Sequence, residues 1–349
     1  MKIKTIGPGI GAPEGLVARA GSPLVQAKGA FYAIIRAGSS PSAAIGGLNQ
    51  NSQKTSPTGS MQARGGPDRL SKRLAIWAAI AGLMLAAAAA AHLHRAEALT
   101  AYNNNASFAF TQSHVGYGER LSPPNGTYFD TESGFIKGGR ATVSGMRNDG
   151  IRNLYFHFSY DQTNGNLNYV GGINGTNTSL IEPTNAHMTD IGLRLGQGFM
   201  VTNRMMLIPY VGYGFHHWGR GESAGLTTPF NYYESYHNQY AAFGVLWQTE
   251  IFQRVITTLN LAYGRTIQPT ISAPAFGFAE GLGPKPWRRA GVAVDYLIGR
   301  HEAVFMSATF TEFQYGAGPV IVASSGLIGN EPFSQTEITN YDFGARFLF

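Results

Sequence analysis

The sequence predicts an all-β chain whose antiparallel strands close into a barrel, and three observations support this fold class. Apolar and polar residues alternate with a period of two through most of residues 99–349, which is typical of strands and not of helices. The connections between the predicted strands alternate between short and long. The chain also ends on a strand-like segment, NYDFGARFLF, with aromatic residues at alternate positions. We predict about ten strands, with eight as the alternative count.

The alternation is clearest in the segment LYFHFSYD, which begins at Leu154. One face of this predicted strand carries bulky apolar side chains, and the other carries small or polar ones. The same pattern recurs in DIGLRLGQ, YAAFGVLWQTE, VITTLNLAYG and AGVAVDYLIG. A soluble β-sandwich alternates in the same way, so the pattern predicts strands but leaves open which solvent each face meets.

Loop lengths distinguish a membrane barrel from a sandwich. We predict strands near residues 107–118, 132–146, 153–162, 188–201, 205–218, 236–250, 255–267, 287–298, 302–316 and 336–349. The connections after every second strand have about three to six residues, and the others have about 13 to 25. Short turns at one end and long loops at the other are typical of membrane barrels. A bilayer admits only helices and closed barrels, so we predict a closed antiparallel transmembrane β-barrel.

The composition excludes several classes of function. The chain has no cysteine, which excludes disulfides, thiolate catalysis and cysteine-based metal sites. Residues 1–98 carry a net charge of +8, whereas residues 99–349 carry −2. Because the positive excess lies entirely in the front segment, the composition does not predict a nucleic-acid partner.

Residues 61–98 have the layout of a secretory signal peptide. Basic residues precede an uncharged, mostly alanine run at 74–91, and a small-x-small pattern ends at Ala98. A permanent membrane anchor is the alternative, because the run approaches the ~20 residues that span a bilayer. A second candidate cleavage site ends at Ala91. We predict cleavage near Ala98, which assigns residues 99–349 to the barrel.

Residues 1–60 precede this signal region and are rich in Gly, Ser, Ala and Pro, without steady apolar periodicity. Such composition cannot bury enough apolar surface to fold. We predict that the stretch is disordered, or that it is an over-extended start and that Met61 begins a more ordinary precursor.

Together, the signal segment, the alternating strands and the ending YDFGARFLF resemble those of bacterial outer-membrane β-barrel proteins of the small, porin-like or adhesin-like kind. The resemblance covers residues 99–349, and its one specific motif is the C-terminal strand with Tyr341, Phe343, Phe347 and Phe349. It implies an outer-membrane location at the cell surface, short periplasmic turns and long extracellular loops. It also implies two partners, outer-membrane lipid or lipopolysaccharide and the barrel-assembly machinery, which reads this strand in that family. The resemblance implies no particular activity.

Charged residues lie on the polar side of the predicted strands. They are Arg140, Asp161, Arg194, Asp295 and Arg346. A barrel of eight to ten strands has an interior that side chains can fill, and isolated charges are costly there. We predict a plug of ion pairs in a largely filled lumen. The alternative is a narrow porin or channel for small solutes, lined by the same charges.

His157 and Ser159 are weak catalytic candidates. They lie two residues apart on one predicted strand face, in HFSYD, and outer-membrane lipid A deacylases carry a His-x-Ser pair on a strand. Those enzymes follow the Ser with Asn, whereas Tyr160 follows here. We therefore predict an inward polar pair and no enzyme, with a barrel-borne hydrolase as the third hypothesis. We predict no metal site and no cofactor, since His216 and His217 are adjacent and point to opposite faces.

The predicted loops and strand ends supply the remaining candidates. We expect His216, His217 and Trp218 to belong to an interfacial aromatic belt with Tyr213 nearby. The segment TTPFNYYESYHN, with Tyr232, Tyr233, Tyr236 and His237, suits either surface recognition of an extracellular ligand or the same belt. We expect the loops at 163–187 and 317–335 to be mobile. The predicted role is structural or surface-interactive.

Overall fold

The computed structural model describes residues 96–120, 128–172, 179–221, 233–274, 277–322 and 328–349, together with two short pairs, 2–3 and 32–33. Those pairs, Lys2–Ile3 and Tyr32–Ala33, form a two-residue parallel ladder. Apart from them, the disordered or over-extended start predicted at 1–60 lies outside the described residues. The predicted signal region lies outside them as far as residue 95.

One short helix and ten long strands form the described barrel. The helix is α1, Ala96–Tyr102. The strands are β1 Asn105–Arg120, β2 Tyr128–Arg147, β3 Leu154–Gly172, β4 Ser179–Gln197, β5 Met205–Arg220, β6 Glu234–Phe252, β7 Val255–Ala273, β8 Gly283–Leu297, β9 Glu302–Gly316 and β10 Phe333–Leu348. Within the described residues, no helix has the length and apolar character that a membrane crossing requires.

Each long strand pairs antiparallel with the next, and β10 pairs with β1. This last ladder runs without a register shift from Phe333 opposite Arg120 to Leu348 opposite Asn105. The sheet is therefore closed and leaves no long strand edge open for pairing with another chain. The prediction of ten antiparallel strands is confirmed, and the eight-stranded alternative is wrong.

The two ends of the barrel differ less than predicted. The connections at the long-loop end are residues 121–127, 173–178, 221–233, 274–282 and 317–332, and three of them are shorter than the predicted 13 to 25 residues because the strands are longer than predicted. At the short-turn end, compact connections at 148–153, 198–204, 253–254 and 298–301 join β2 to β3, β4 to β5, β6 to β7 and β8 to β9. The segment Phe199–Thr202 in the second connection pairs with β5. At the long-loop end, Phe278–Gly281 extends the ladder of β7, and Ile321–Val322 pairs with Ile328–Gly329.

The outer surface of the barrel is apolar, and its interior holds buried polar and charged side chains together with two clusters of apolar ones. Large apolar side chains point outward and are exposed, including Phe108, Phe110, Phe156, Phe158, Leu193, Leu195, Val211, Phe243, Leu261, Met306 and Phe343. Buried polar or charged side chains from the alternate positions face inward, including Ser107, Thr111, Ser159, Asp161, Gln248, Asp295 and Asp342. A soluble sandwich has the opposite arrangement. An exposed apolar band around a polar interior is the arrangement expected of a transmembrane barrel.

Strands β3 and β4 continue well beyond the predicted membrane segment. They pair from Leu154 opposite Gln197 as far as Gly172 opposite Ser179. The expectation of a mobile loop at 163–187 is therefore wrong for most of that range. Beyond the apolar band both faces can meet water, so outward polar residues such as Asn164 and Asn166 remain compatible with a strand.

Candidate functional site in the barrel lumen

Helix α1 lies inside the short-turn end of the lumen. Leu99 is 0% exposed, and it packs with Tyr102 in a cluster of inward-facing apolar residues from the surrounding strands. Asn103 and Gln248 exchange two side-chain hydrogen bonds, of 2.8 and 3.0 Å. This paired amide contact and the apolar cluster fix the helix across the opening.

An ion pair lies directly above the helix. Arg346 of β10 donates from Nε to Asp295 of β8 at 2.8 Å and from Nη1 to Asn105 at 2.9 Å. The Tyr102 hydroxyl of α1 donates to the other Asp295 oxygen at 2.7 Å. The Arg346 guanidinium also lies over the rings of Tyr102 and Phe305. The two predicted lumen charges thus contact each other and anchor the helix.

A second group of charges occupies the middle of the lumen. Arg140 donates to Asp161 and to Asp342, which contact its guanidinium from β3 and β10. Asp342 accepts two further hydrogen bonds, from Thr111 at 2.7 Å and from Ser307 at 2.6 Å. Each buried charge therefore has an opposite partner, which offsets the cost of removing it from water.

A third group was not among the candidates predicted from the sequence. Asp190 of β4 contacts Arg289 at 3.4 Å and accepts a hydrogen bond from the Tyr240 hydroxyl at 3.3 Å. His216 Nδ1 lies 3.7 Å from the same carboxylate. Strand alternation alone places Asp190 on the face of Arg194, and Arg289 on the face of Asp295. That signal was sufficient to find both residues.

Arg194 is the exception among the five predicted lumen charges. Its guanidinium lies over the Tyr210 ring, 5.3 Å from the centroid. Among the described residues, no carboxylate contacts it and no acceptor takes a hydrogen bond from it. His157 is its direct partner across the β3–β4 ladder. The Nδ1 atom of that histidine is buried and has no hydrogen-bond partner in the described structure.

The described lumen includes two cavities that differ in size. The larger, about 140 Å³, lies between α1 and the charges of the middle lumen. Its lining includes His157, Ser159, Arg194, Asn260 and Arg289. The smaller, about 30 Å³, lies beside Asp190 and His216. The weak catalytic candidates His157 and Ser159 thus face this interior cavity, and no hydrogen bond joins them in the described structure.

A cluster of carboxylates surrounds one arginine at the long-loop end. Arg220 contacts Glu132 at 2.6 Å, Glu234 at 3.4 Å and Glu119 at 3.6 Å. The guanidinium also lies 4.9 Å from the centroid of the Tyr117 ring. Among the described residues, no group of three or more His, Asp or Glu side chains is arranged to hold a metal ion.

The connection before β10 folds inward at this end. Glu331 is 0% exposed and accepts a hydrogen bond from the Tyr236 hydroxyl at 2.8 Å, while its backbone N–H donates to Glu280 at 2.7 Å. Burial raises the pKa of the Glu331 carboxyl. Burial also raises the pKa of the Glu280 carboxyl to about 7, although the hydrogen bond from the Glu331 backbone lowers it by a smaller amount. The expectation of a mobile loop at 317–335 is therefore wrong near Glu331, where buried polar contacts hold the backbone.

The predicted aromatic belt needs correction at three positions. His216 is buried in the lumen beside Asp190 and does not belong to the belt. Trp218 and Tyr236 are 0% exposed and face the interior, where their rings stack at 5.5 Å. His217 and His237 occupy the outer face instead, and they stack at 4.5 Å. Trp218 and Tyr236 occupy even-numbered positions of β5 and β6, which are the inward positions.

Other aromatic candidates face outward. Tyr213 and Tyr233 are exposed, and Tyr232 lies outside the described residues. The four aromatic residues of the terminal motif, three in β10 and one directly after it, are exposed on the outer side, whereas Asp342 and Arg346 point inward. The four are Tyr341, Phe343, Phe347 and Phe349. The last strand therefore presents its aromatic residues to the apolar band and its charges to the lumen.

No family model and no curated protein matches the chain. Similar solved structures include the translocator domain of the autotransporter NalP from Neisseria meningitidis, at 14% identity over 81% of this chain and 99% of that chain, with a TM-score of 0.34. Ail of Yersinia pestis matches at 10% identity over 71% and 99%, with a TM-score of 0.28. The P. putida toluene transporter TodX matches at 7% identity over 74% and 93%, with a TM-score of 0.30.

At these identities and TM-scores, the assignment of the chain rests on its own geometry. The ten strands close without an edge, the outer face is apolar, and paired charges occupy the interior. The chain is a closed ten-stranded antiparallel β-barrel with the apolar outer face expected of a transmembrane barrel.

Proposed function

We propose that this barrel does not conduct solutes and that it serves a structural or surface-interaction role in the outer membrane. The observation that carries the proposal is the filled lumen. Helix α1 covers the short-turn end, ion pairs cross the middle, and Glu331 occupies the long-loop end. A porin needs a continuous aqueous path, which larger barrels provide and barrels of about this size fill with side chains.

The proposal places the short-turn end in the periplasm and the long loops outside the cell. Export by a signal peptide cleaved near Ala98, and recognition of the terminal aromatic strand by the assembly machinery, are parts of the same proposal. Contact with lipopolysaccharide follows from the outward apolar band. An extracellular ligand would meet the long-loop end, where Tyr233 is exposed.

Solute permeability of proteoliposomes tests this proposal. Vesicles containing the folded protein are diluted into isotonic arabinose, and their swelling is compared with that of protein-free vesicles and of vesicles with a general porin. We expect the swelling rate of the protein-free vesicles. Swelling that rises with protein content would support the narrow-channel alternative and contradict a closed lumen.

We also propose that the protein is not a lipid A deacylase. Such an enzyme must bring a catalytic serine to a lipid substrate, whereas Ser159 is buried in the lumen beside His157. The test is deacylation of lipid A by the wild type and by His157→Ala. We expect no activity from either protein. Wild-type activity that is lost in the variant would overturn the proposal.

A further inference from the structure

Among the described residues of the lumen, Arg194 is a cation without a local counter-ion. Arg140, Arg289 and Arg346 each contact an aspartate, and Arg140 contacts two. Arg194 contacts none among the described residues, although it shares their interior. Arg194 is partly buried, and a guanidinium that is withdrawn from water is costly unless it is paired or hydrated. The Tyr210 ring offsets part of this cost, since an arginine over an aromatic face gains roughly 0.5–2 kcal/mol.

The unpaired guanidinium lines the larger cavity. At about 140 Å³, this cavity exceeds by severalfold the space that one water molecule needs. Its lining is mostly polar and includes the side chains of His157, Ser159 and Asn260. A small anion together with a few waters therefore fits beside Arg194.

His157 supplies a second donor to the same cavity. Its Nδ1 atom is buried and has no hydrogen-bond partner in the described structure. A buried N–H without a partner is rarer than an unsatisfied acceptor, which favours the tautomer with its proton on Nε2. The Nε2 atom then has an N–H to donate, next to the charge of Arg194 in the neighbouring strand.

We propose that the cavity is a binding site for a small oxyanion, with Arg194 as the charge partner and His157 as a neutral donor. Carboxylate and inorganic phosphate share the required chemistry, because the planar guanidinium fork donates two parallel hydrogen bonds to two oxygens of one anion. Helix α1 forms the floor of the site, since Tyr102 and Asn103 also line the cavity. The inference does not depend on whether the barrel conducts.

Fluorine NMR tests the site with trifluoroacetate as the carboxylate probe. The full-length protein is folded into detergent micelles in the presence of the probe, so that entry into the lumen is not limiting. We expect saturable broadening of the probe resonance with the wild type. Arg194→Gln is expected to weaken binding by at least about tenfold, the effect of losing hydrogen bonds to a charged group.

Arg254→Gln is the matched control, because Arg254 is exposed in the short-turn connection after β6 and its loss changes net charge equally. This variant is expected to bind the probe like the wild type. Heat-modifiable gel mobility reports whether each variant folds. If Arg194→Gln does not fold, Arg194→Lys replaces it, since lysine keeps the charge but loses the fork. This second variant is expected to weaken binding several-fold.

Competition separates the two sources of oxyanion. If acetate displaces the probe at a lower concentration than phosphate does, the natural ligand of the site is a carboxylate. If phosphate displaces it at the lower concentration, the natural ligand is inorganic phosphate. The proposal is overturned if the wild type shows no saturable broadening. It is equally overturned if both anions fail to compete, or if the Arg194 variant that folds binds as tightly as Arg254→Gln.

Discussion

Arg140 of β2 reaches across β1 to contact Asp342 of β10, so a buried ion pair spans the seam where the last strand closes on the first. Asp342 also accepts hydrogen bonds from Thr111 of β1 and Ser307 of β9. One carboxylate therefore joins four consecutive strands. We therefore expect closure of the barrel to depend on this inward contact as well as on the backbone ladder.

Replacing Asp342 by asparagine should weaken the seam. The substitution removes the charge but keeps the side-chain shape, and Arg140 retains only Asp161 as its partner. We expect the free energy of unfolding in urea to fall by about 3 kcal/mol, in the range for breaking a buried ion pair. Asp149→Asn, in the exposed turn after β2, is the control, and it should change the free energy of unfolding by no more than about 0.5 kcal/mol. Equal effects of the two variants would contradict a special role for the seam.

Gly344 should tolerate no side chain. A Cβ atom at this position would lie 2.1 Å from the carbonyl oxygen of Phe108 in β1. Gly344→Ala must therefore displace the seam backbone, and we expect a loss of about 1–3 kcal/mol, as for overpacking. Gly116 of β1 has no atom within 4 Å of such a Cβ, so Gly116→Ala should be neutral or slightly stabilising. The free energies of unfolding in urea are compared for the two variants. Equal losses in Gly344→Ala and Gly116→Ala would contradict the prediction.

The Tyr102 hydroxyl should stabilise the helix inside the lumen. Tyr102→Phe removes the hydrogen bond to Asp295, which is then held by Arg346 alone. We expect a destabilisation of about 1.5–3 kcal/mol, typical of a hydrogen bond to a charged group. Tyr160→Phe removes a comparable bond to Gln162 on the exposed outer face and should cost much less. Indistinguishable unfolding curves for the two variants would argue against the anchoring role of Tyr102.

The raised pKa of Glu280 predicts a pH dependence of stability. The folded-state pKa of Glu280 is raised to about 7 from 4.5. The stability that this group contributes to the folded protein is therefore fully present below pH 4.5 and is lost as the pH rises through 7. We therefore expect the wild type to be less stable at pH 8.5 than at pH 5.5.

Glu280→Gln isolates this contribution. Glutamine stays neutral and can still accept the hydrogen bond from the backbone of Glu331, so the pH difference in unfolding free energy should shrink. The exposed Glu302 supplies the control, since Glu302→Gln should leave that difference unchanged. A pH difference that persists undiminished in Glu280→Gln would contradict the assignment.

The sequence predicted the parts of the fold that depend on strand periodicity. Residues two apart share a face, so the outward position of Phe343 and the inward position of Asp342 follow from alternation alone. The closed sheet followed from the membrane setting, because a bilayer excludes an open edge. Pairing was harder to predict. Alternation places Arg140, Asp342 and Asp190 inside, but only the register between strands decides which of them meet.

Three features were beyond the sequence patterns for physical reasons. Trp218 and Tyr236 lie near strand ends, where aromatic residues usually belong to a belt, and only their even positions mark them as inward. The polar stretch at 163–172 resembles a loop because strand propensity is weak for Asn and Gly. Helix α1 has seven residues, too few for helical periodicity to be visible, and it is stabilised by packing inside the lumen.

Single-channel recording in planar lipid bilayers tests the central claim most directly. The folded wild-type protein is added at increasing amounts, with a general porin as the positive control for insertion. Because α1, the ion pairs and Glu331 occupy the lumen in series, we expect no conductance steps from protein whose folding is verified by its heat-modifiable gel shift. Reproducible steps of uniform size would contradict the closed lumen and would make the barrel a channel.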